Sequence, residues 1–109
     1  MTSKPTILVA GDRNIRDILA KRLPSRVCNI VDAGTFVAAL SEATDASIVI
    51  VDGQMPGYQE LCGHLRGDPV TADIPLLFLT HNGKENPGVR VEATVPFRDP
   101  AKLELALRK

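Results

Sequence analysis

Residues Ile48 to Gly57 read IVIVDGQMPG. Four apolar, mostly β-branched residues run straight into Asp52, and a Pro-Gly turn follows almost at once. A carboxylate so placed is either a device that holds the turn or a reactive group presented where a buried strand ends. Two other apolar runs stop in a comparable way. TILVA, Thr6 to Ala10, gives way to Gly11 and Asp12, and LLFLT, Leu76 to Thr80, closes on a hydroxyl. If these runs are strands pointing the same way in one sheet, two carboxylates and a hydroxyl converge on one edge.

Whether they do depends on the elements between them. Asn14 can cap a helix, IRDILAKRL. Its Ile15, Ile18, Leu19 and Leu23 form one apolar stripe, which Pro24 and Ser25 end. RVCNIVDA reads as a second strand. Gly34 and Thr35 open a second helix with Phe36, Ala39, Leu40 and Ala43 on its apolar face. ASIVIV, the third strand, is apolar on both alternating faces, as expected where helices cover both sides of a parallel sheet. YQELCGHLRG is a helix with Leu61, Cys62 and Leu65 inward, weakened by about 1 kcal/mol at Gly63 relative to Ala. LLFLT is a fourth strand and VRVEATV, Val89 to Val95, a less buried fifth. Asp99 caps a last helix with Pro100 at its first position. Leu103, Ala106 and Leu107 face inward there, and Leu105 lies off the stripe.

Between the last two strands lies HNGKENPG, rich in Gly, Asn and Pro and without an apolar stripe. A loop therefore stands where a regular doubly wound domain has its fourth helix. The alternation predicts an α/β fold: a doubly wound five-stranded parallel sheet, its fourth helix missing or much shortened, with few ways to wind it. In such sheets ligand chemistry gathers beyond the carboxyl ends of the strands. Those ends are Gly11 and Asp12, Asp52, Thr80, and the Val95-Pro96 step.

The bulk properties narrow the function. With 109 residues, 44% of them hydrophobic and 24% charged, the chain is expected to form one domain, 1–109, neither disordered nor membrane-spanning. A formal net charge of zero argues against a nucleic-acid binder, which needs a basic face to displace counterions. The apolar run near the N-terminus is too short for a signal peptide or a membrane anchor, so a cytoplasmic location is expected. The chain ends on LRK just past the last helix, with no effector domain in view. Cys28 and Cys62 read as reduced, half-buried thiols. His64 and His81 have no partner at metal-ligand spacing.

Over essentially its whole length the chain resembles a response-regulator receiver domain, which implies the flavodoxin-like strand order 2-1-3-4-5. KPTILVAGDRNIRDIL resembles that family's opening strand, acidic pair and first helix. IVIVDGQMPG resembles the phosphoacceptor strand and its Met-Pro-Gly loop, and LRGDPVTADIPLLFLT the third helix end, loop and fourth strand. VPF stands where the family has a Lys-Pro-Phe step. The resemblance implies Asp52 as phosphoacceptor, Asp12 with Asp52 as metal-binding acids, Thr80 as switch hydroxyl, and a cis peptide before Pro96. It also implies Mg²⁺ held by carboxylates and phosphoryl oxygens, and a lysine ammonium on the equatorial oxygens.

The pattern is broken at several of these points. Gly11 replaces one acid of the pair, and Arg13 follows Asp12 in a shortened loop, where it can put a fixed positive charge in the place of a metal. Val95 replaces the lysine, and the usual aromatic switch position falls near Glu92. A weakened Mg²⁺ site, or none, is expected. The resemblance then points to a degenerate, pseudo-receiver domain in phosphorelay signalling that is not an enzyme. It would act by docking on a histidine kinase, another receiver, an output protein or a second copy of itself, without nucleic acid or membrane. Candidate surfaces are the first helix and the edge formed by strand five and the last helix, Leu105 included. One alternative is a working phosphoacceptor at Asp52 with a weak Mg²⁺ site. Another is an anion or nucleotide sensor that uses Arg90 or Arg98 in the space left by the lost helix. Asp52 can also be a structural cap or a partner of Arg13, and Asp12 a cap of the first helix.

Overall fold

The computed structural model of the chain describes residues 4–24 and 26–107. Ser25, expected to help end the first helix, lies outside them. The elements follow in the order β1 (Thr6–Ala10), α1 (Arg13–Arg22), β2 (Asn29–Ala33), α2 (Phe36–Ala43), β3 (Ile48–Asp52), α3 (Tyr58–Gly67), β4 (Leu76–Thr80), β5 (Ala93–Pro96) and α4 (Pro100–Leu107). All strand pairs are parallel and the sheet order is β2-β1-β3-β4-β5, as expected.

The period of two in the strands divides the interior into two cores. On one face Leu8, Val49, Val51, Leu76 and Phe78 pack with Ala39 and Ala43 of α2 and Leu61, Cys62 and Leu65 of α3. On the other face Ile7, Val9, Ile50, Leu77, Leu79 and Val95 pack with Ile15 and Leu19 of α1 and Leu103 of α4. Near-complete burial of β1, β3 and β4 explains why those strands read as continuous apolar runs.

Helix ends refine the expectations. Of the two expected caps of α1, Asp12 serves and Asn14 does not: Asp12 Oδ1 accepts the Asn14 amide at 2.9 Å. Asp99 caps α4 through the Lys102 amide, with Pro100 in the first turn. β2 begins at Asn29 rather than Arg26, because a turn closed by the Val27 amide on the Pro24 carbonyl precedes it.

No helix forms between β4 and β5. Residues 81–92 instead make a strap across the face that carries α2 and α3. Val89 and Val91, expected in the fifth strand, pack against the α2–α3 core. The strand starts only at Ala93. The cause is polar. Arg66 on α3 donates to the carbonyls of Arg90, Ala72 and Ile74 and to Glu92 Oε1. That same carboxylate oxygen accepts the Leu76 amide at 2.6 Å, where a strand carbonyl would otherwise serve. The backbone leaves the sheet ahead of Glu92, whose amide still donates to the Leu76 carbonyl at 2.9 Å, and the two valines pack on the α2–α3 side.

Candidate functional site

The carboxyl ends of the strands form a pocket of about 370 Å³ lined by Gly11, Asp12, Gly34, Asp52, Gln54, Met55, Pro56, His81 and Phe97. Asp12 and Asp52 meet there, as their places at the ends of β1 and β3 require. Asp52 is only 4% exposed. Its Oδ1 accepts the Gln54 amide at 3.0 Å and lies 2.5 Å from His81 Nε2, which donates in the tautomer protonated there. The His81 ring stacks on Phe97, centroids 4.3 Å apart. An imidazole backed by an aromatic ring thus sits on the buried carboxylate.

His81 is the residue that sequence reasoning passed over. The signal was its position directly after Thr80, at the same sheet edge as Asp52. Arg13, expected near the carboxylates, instead points to Asp32 at 3.8 Å and is largely exposed. It does not partner Asp52.

Gly11 is more than a missing acid. Its φ is +154°, and a Cβ built there would lie 2.4 Å from Asp52 Cβ and 3.0 Å from Oδ2. The β1–α1 turn has closed onto Asp52 in the space that a side chain at position 11 would need. Val95 is buried in the α1–α4 core, away from the pocket. Pro96 follows a trans peptide, since there is no cis bond among the described residues. Pro96 ends β5 opposite Thr80, and Phe97 donates its amide to the Thr80 carbonyl. Trans is also the ordinary preference of an X-Pro bond.

Thr80 is drawn away from the pocket. Its hydroxyl donates to Glu85 Oε1 at 2.7 Å and accepts the Gly83 amide at 2.9 Å. The His81 and Asn82 amides also donate to the Glu85 carboxylate. Gly53 permits this approach: a Cβ there would meet the Leu79 carbonyl at 2.8 Å and Glu85 Cβ at 3.1 Å. The Thr80 hydroxyl above all, with the neighbouring amides, pulls the Glu85 carboxyl from 4.5 down to about 2. Glu92 is also lowered. Burial pushes its carboxyl up, and the Leu76 amide and the Arg66 and Arg90 guanidiniums together pull it down by more.

Both carboxylates bind their partners as anions, so the folded state holds fewer protons than the unfolded chain. The Glu85 contribution is complete above about 4.5 and is lost as pH falls toward about 2, and that of Glu92 is lost in the same direction below 4.5. The strap is expected to loosen in that window before the sheet unfolds. Amide resonances of His81 and Asn82 followed by NMR will move at higher pH than those of Val49 and Ile50.

The donor set does not suit Mg²⁺, which takes near-octahedral oxygen ligands on one or two carboxylates and retains waters. Asp52 Oδ1 is engaged by His81 and Gln54, Asp12 Oδ1 caps α1, and position 11 offers no carboxylate. Among the described residues no group of three or more His, Cys, Asp or Glu could hold a metal ion. The space expected beside strand five is filled by the strap, and Arg90 pairs with Glu92 at 3.0 Å. Both cysteines are free and buried, and burial pushes the Cys62 thiol up to about 11, so it stays protonated.

No protein-family model matches the chain. It is 28% identical over 123 residues to the phosphate regulon transcriptional regulatory protein PhoB of Pseudomonas aeruginosa, a match covering all of this chain and 54% of that protein. The chain thus spans about half the length of that curated relative. Among solved structures, the signal receiver domain of an HD domain-containing protein from Pseudomonas fluorescens superposes with a TM-score of 0.81 at 20% identity, over 99% of this chain and 87% of that one. A chemotaxis response regulator of Vibrio cholerae gives 0.79 at 21%, over 98% of each chain. The receiver domain of a Pseudomonas aeruginosa sensor histidine kinase, solved with a magnesium ion in its active-site cleft, gives 0.75 at 15%, over 97% of each. No helix among the described residues is long and apolar enough to cross a membrane. With its five parallel strands in the order 2-1-3-4-5, the chain has the receiver-domain fold of response regulators.

Proposed function

We propose that the chain is a degenerate receiver domain that serves two-component signalling as a protein-interaction module, without phosphoryl chemistry or catalytic turnover of its own. One observation carries this reading: the Asp52 carboxylate is covered by the His81 imidazole on one side and closed against the Gly11 backbone on the other. A carboxylate that attacks a phosphoryl group must be open in line, with positive charge on the transferring oxygens. Here Asp52 Oδ1 is held by the His81 imidazole and the Gln54 amide, and Val95 supplies no ammonium. Loss of one such donor alone costs about 3–4 kcal/mol of transition-state stabilisation, a factor of about 10²–10³ in rate. A donor set that does not suit Mg²⁺ compounds that loss.

Recognition then rests on fixed surfaces, toward a histidine kinase, another receiver, an output protein or a second copy. Leu105 on α4 is 64% exposed, next to the contact in which Arg22 of α1 meets Glu104 at 3.3 Å. That α1–α4 face is the proposed docking side.

The test is incubation with Mg²⁺ and a small acyl phosphate, followed by intact mass measurement. The expected spectrum shows no phosphoryl addition. A substantial adduct that disappears in Asp52→Asn would overturn the proposal and establish a working phosphoacceptor.

A further inference from the structure

The geometry points to Glu85 as an internal clasp that keeps the Asp52 carboxylate covered: by gathering Thr80, His81 and Asn82 around its carboxylate, it fixes the backbone from which the His81 imidazole reaches Asp52. This deepens the proposed function, on which it rests for the meaning of a covered carboxylate. The chain of contacts is continuous. Glu85 Oε1 takes the Thr80 hydroxyl at 2.7 Å, and the His81 amide lies 3.2 Å from both carboxylate oxygens. The Gly83 amide returns to Thr80 Oγ1, closing the turn on itself. The imidazole then has two supports beyond its backbone, the Phe97 ring and Asp52 Oδ1.

The Thr80 proton is thereby committed. The hydroxyl gives its one proton to Glu85, and its oxygen already accepts an amide. It cannot respond to an event at Asp52 unless Glu85 lets go. The carboxylate of Glu85 remains ionised through the neutral range, so the clasp is permanent under ordinary conditions and Glu85 acts as a positioning residue for His81.

The two histidines of the chain supply an internal comparison. His64 lies exposed on α3, its ring edge-on to Phe36, whereas His81 is partly buried with Nε2 against Asp52. Diethyl pyrocarbonate at neutral pH, with the modified peptides quantified by mass spectrometry, is expected to label His64 quickly and His81 slowly in the native chain. In Glu85→Ala the His81 rate should rise about tenfold or more, because charge-assisted hydrogen bonds are lost, while the His64 rate stays unchanged. Thr80→Val should do the same and Thr80→Ser should restore the slow rate. If Glu85→Ala does not fold, Glu85→Gln keeps the side-chain volume and should still accelerate His81 with a cooperative melt retained.

A His81 rate that ignores Glu85 and Thr80, or that already equals the His64 rate in the native chain, would overturn the clasp. The two failures are separable. Phosphoryl uptake at Asp52 would refute the interaction-module reading alone, and unresponsive His81 labelling would refute the clasp alone.

Discussion

Gly11→Asp, which restores the acid that the receiver pattern has at this position, is expected to destabilise the protein rather than create a metal site. Any Cβ at position 11 would sit 2.4 Å from Asp52 Cβ, closer than carbon atoms approach, and neither backbone has a flexible side-chain end to yield. The backbone angle of +154° adds a conformational cost that non-glycine residues bear poorly. Overpacking typically costs 1–3 kcal/mol and a strained backbone conformation a similar amount. A loss of about 3 kcal/mol follows, large against a total of about 5–15 kcal/mol for a domain. For a chain of this length it lowers the melting temperature by roughly 10–15 °C. Thermal melts with and without Mg²⁺ will check this. The expected curves coincide at the lowered temperature, and a native-like melt with added stability in Mg²⁺ would contradict the account of a turn closed onto Asp52.

Arg66→Met is expected to cost a comparable amount by a different route. The Arg66 side chain is 12% exposed and makes bonds to three carbonyls and one carboxylate. Methionine keeps the apolar stem against the core but leaves Glu92 without its main cation and the carbonyls of Ala72 and Ile74 without their donor. Removal of one member of a buried, hydrogen-bonded pair costs about 3–5 kcal/mol. Glu92 is about one-third exposed, which places the expected loss near the lower end, ~3 kcal/mol. Urea denaturation should show a lower midpoint. The cycle of Arg66→Met with Glu92→Gln should show strong coupling, since the second change removes the group that the first one strands. Additive effects would mean that the strap is held mainly by Val89 and Val91.

The sheet and its edge were legible because the information is local. An apolar run stopped by turn residues marks a strand end wherever the strand lies, so Asp12, Asp52 and Thr80 could be placed at one edge before any contact was known. α3 and β4 coincide with the segments read from their stripes. The strap was illegible for the opposite reason. Arg66 is 24 residues from Arg90 and 26 from Glu92, and His81 is 29 residues from Asp52. Single polar side chains bonded over such separations leave no periodicity. Val89 and Val91 alternate with polar residues as strand residues do, and only the pull of Arg66 on the intervening carbonyl distinguishes them. Asp12 and Asn14 both read as possible caps because both residue types serve, and the choice of Asp12 is made where β1 ends. The cis bond before Pro96 came from the resemblance alone, and the chain keeps the ordinary isomer.

The strap is tied to both ends of α3. Near the first turn, Gln59 Nε2 donates to the Asn86 carbonyl at 2.6 Å, and the Asn86 amide donates to the Tyr58 hydroxyl at 3.3 Å. Near the last turn, Arg66 grips Arg90 and Glu92. A rod tethered at two points to one cord cannot slide or tilt without dragging the cord or parting it. Mechanical load on the outer side of α3 is therefore delivered to the rim that holds Thr80 and His81, although α3 contributes no residue to that rim.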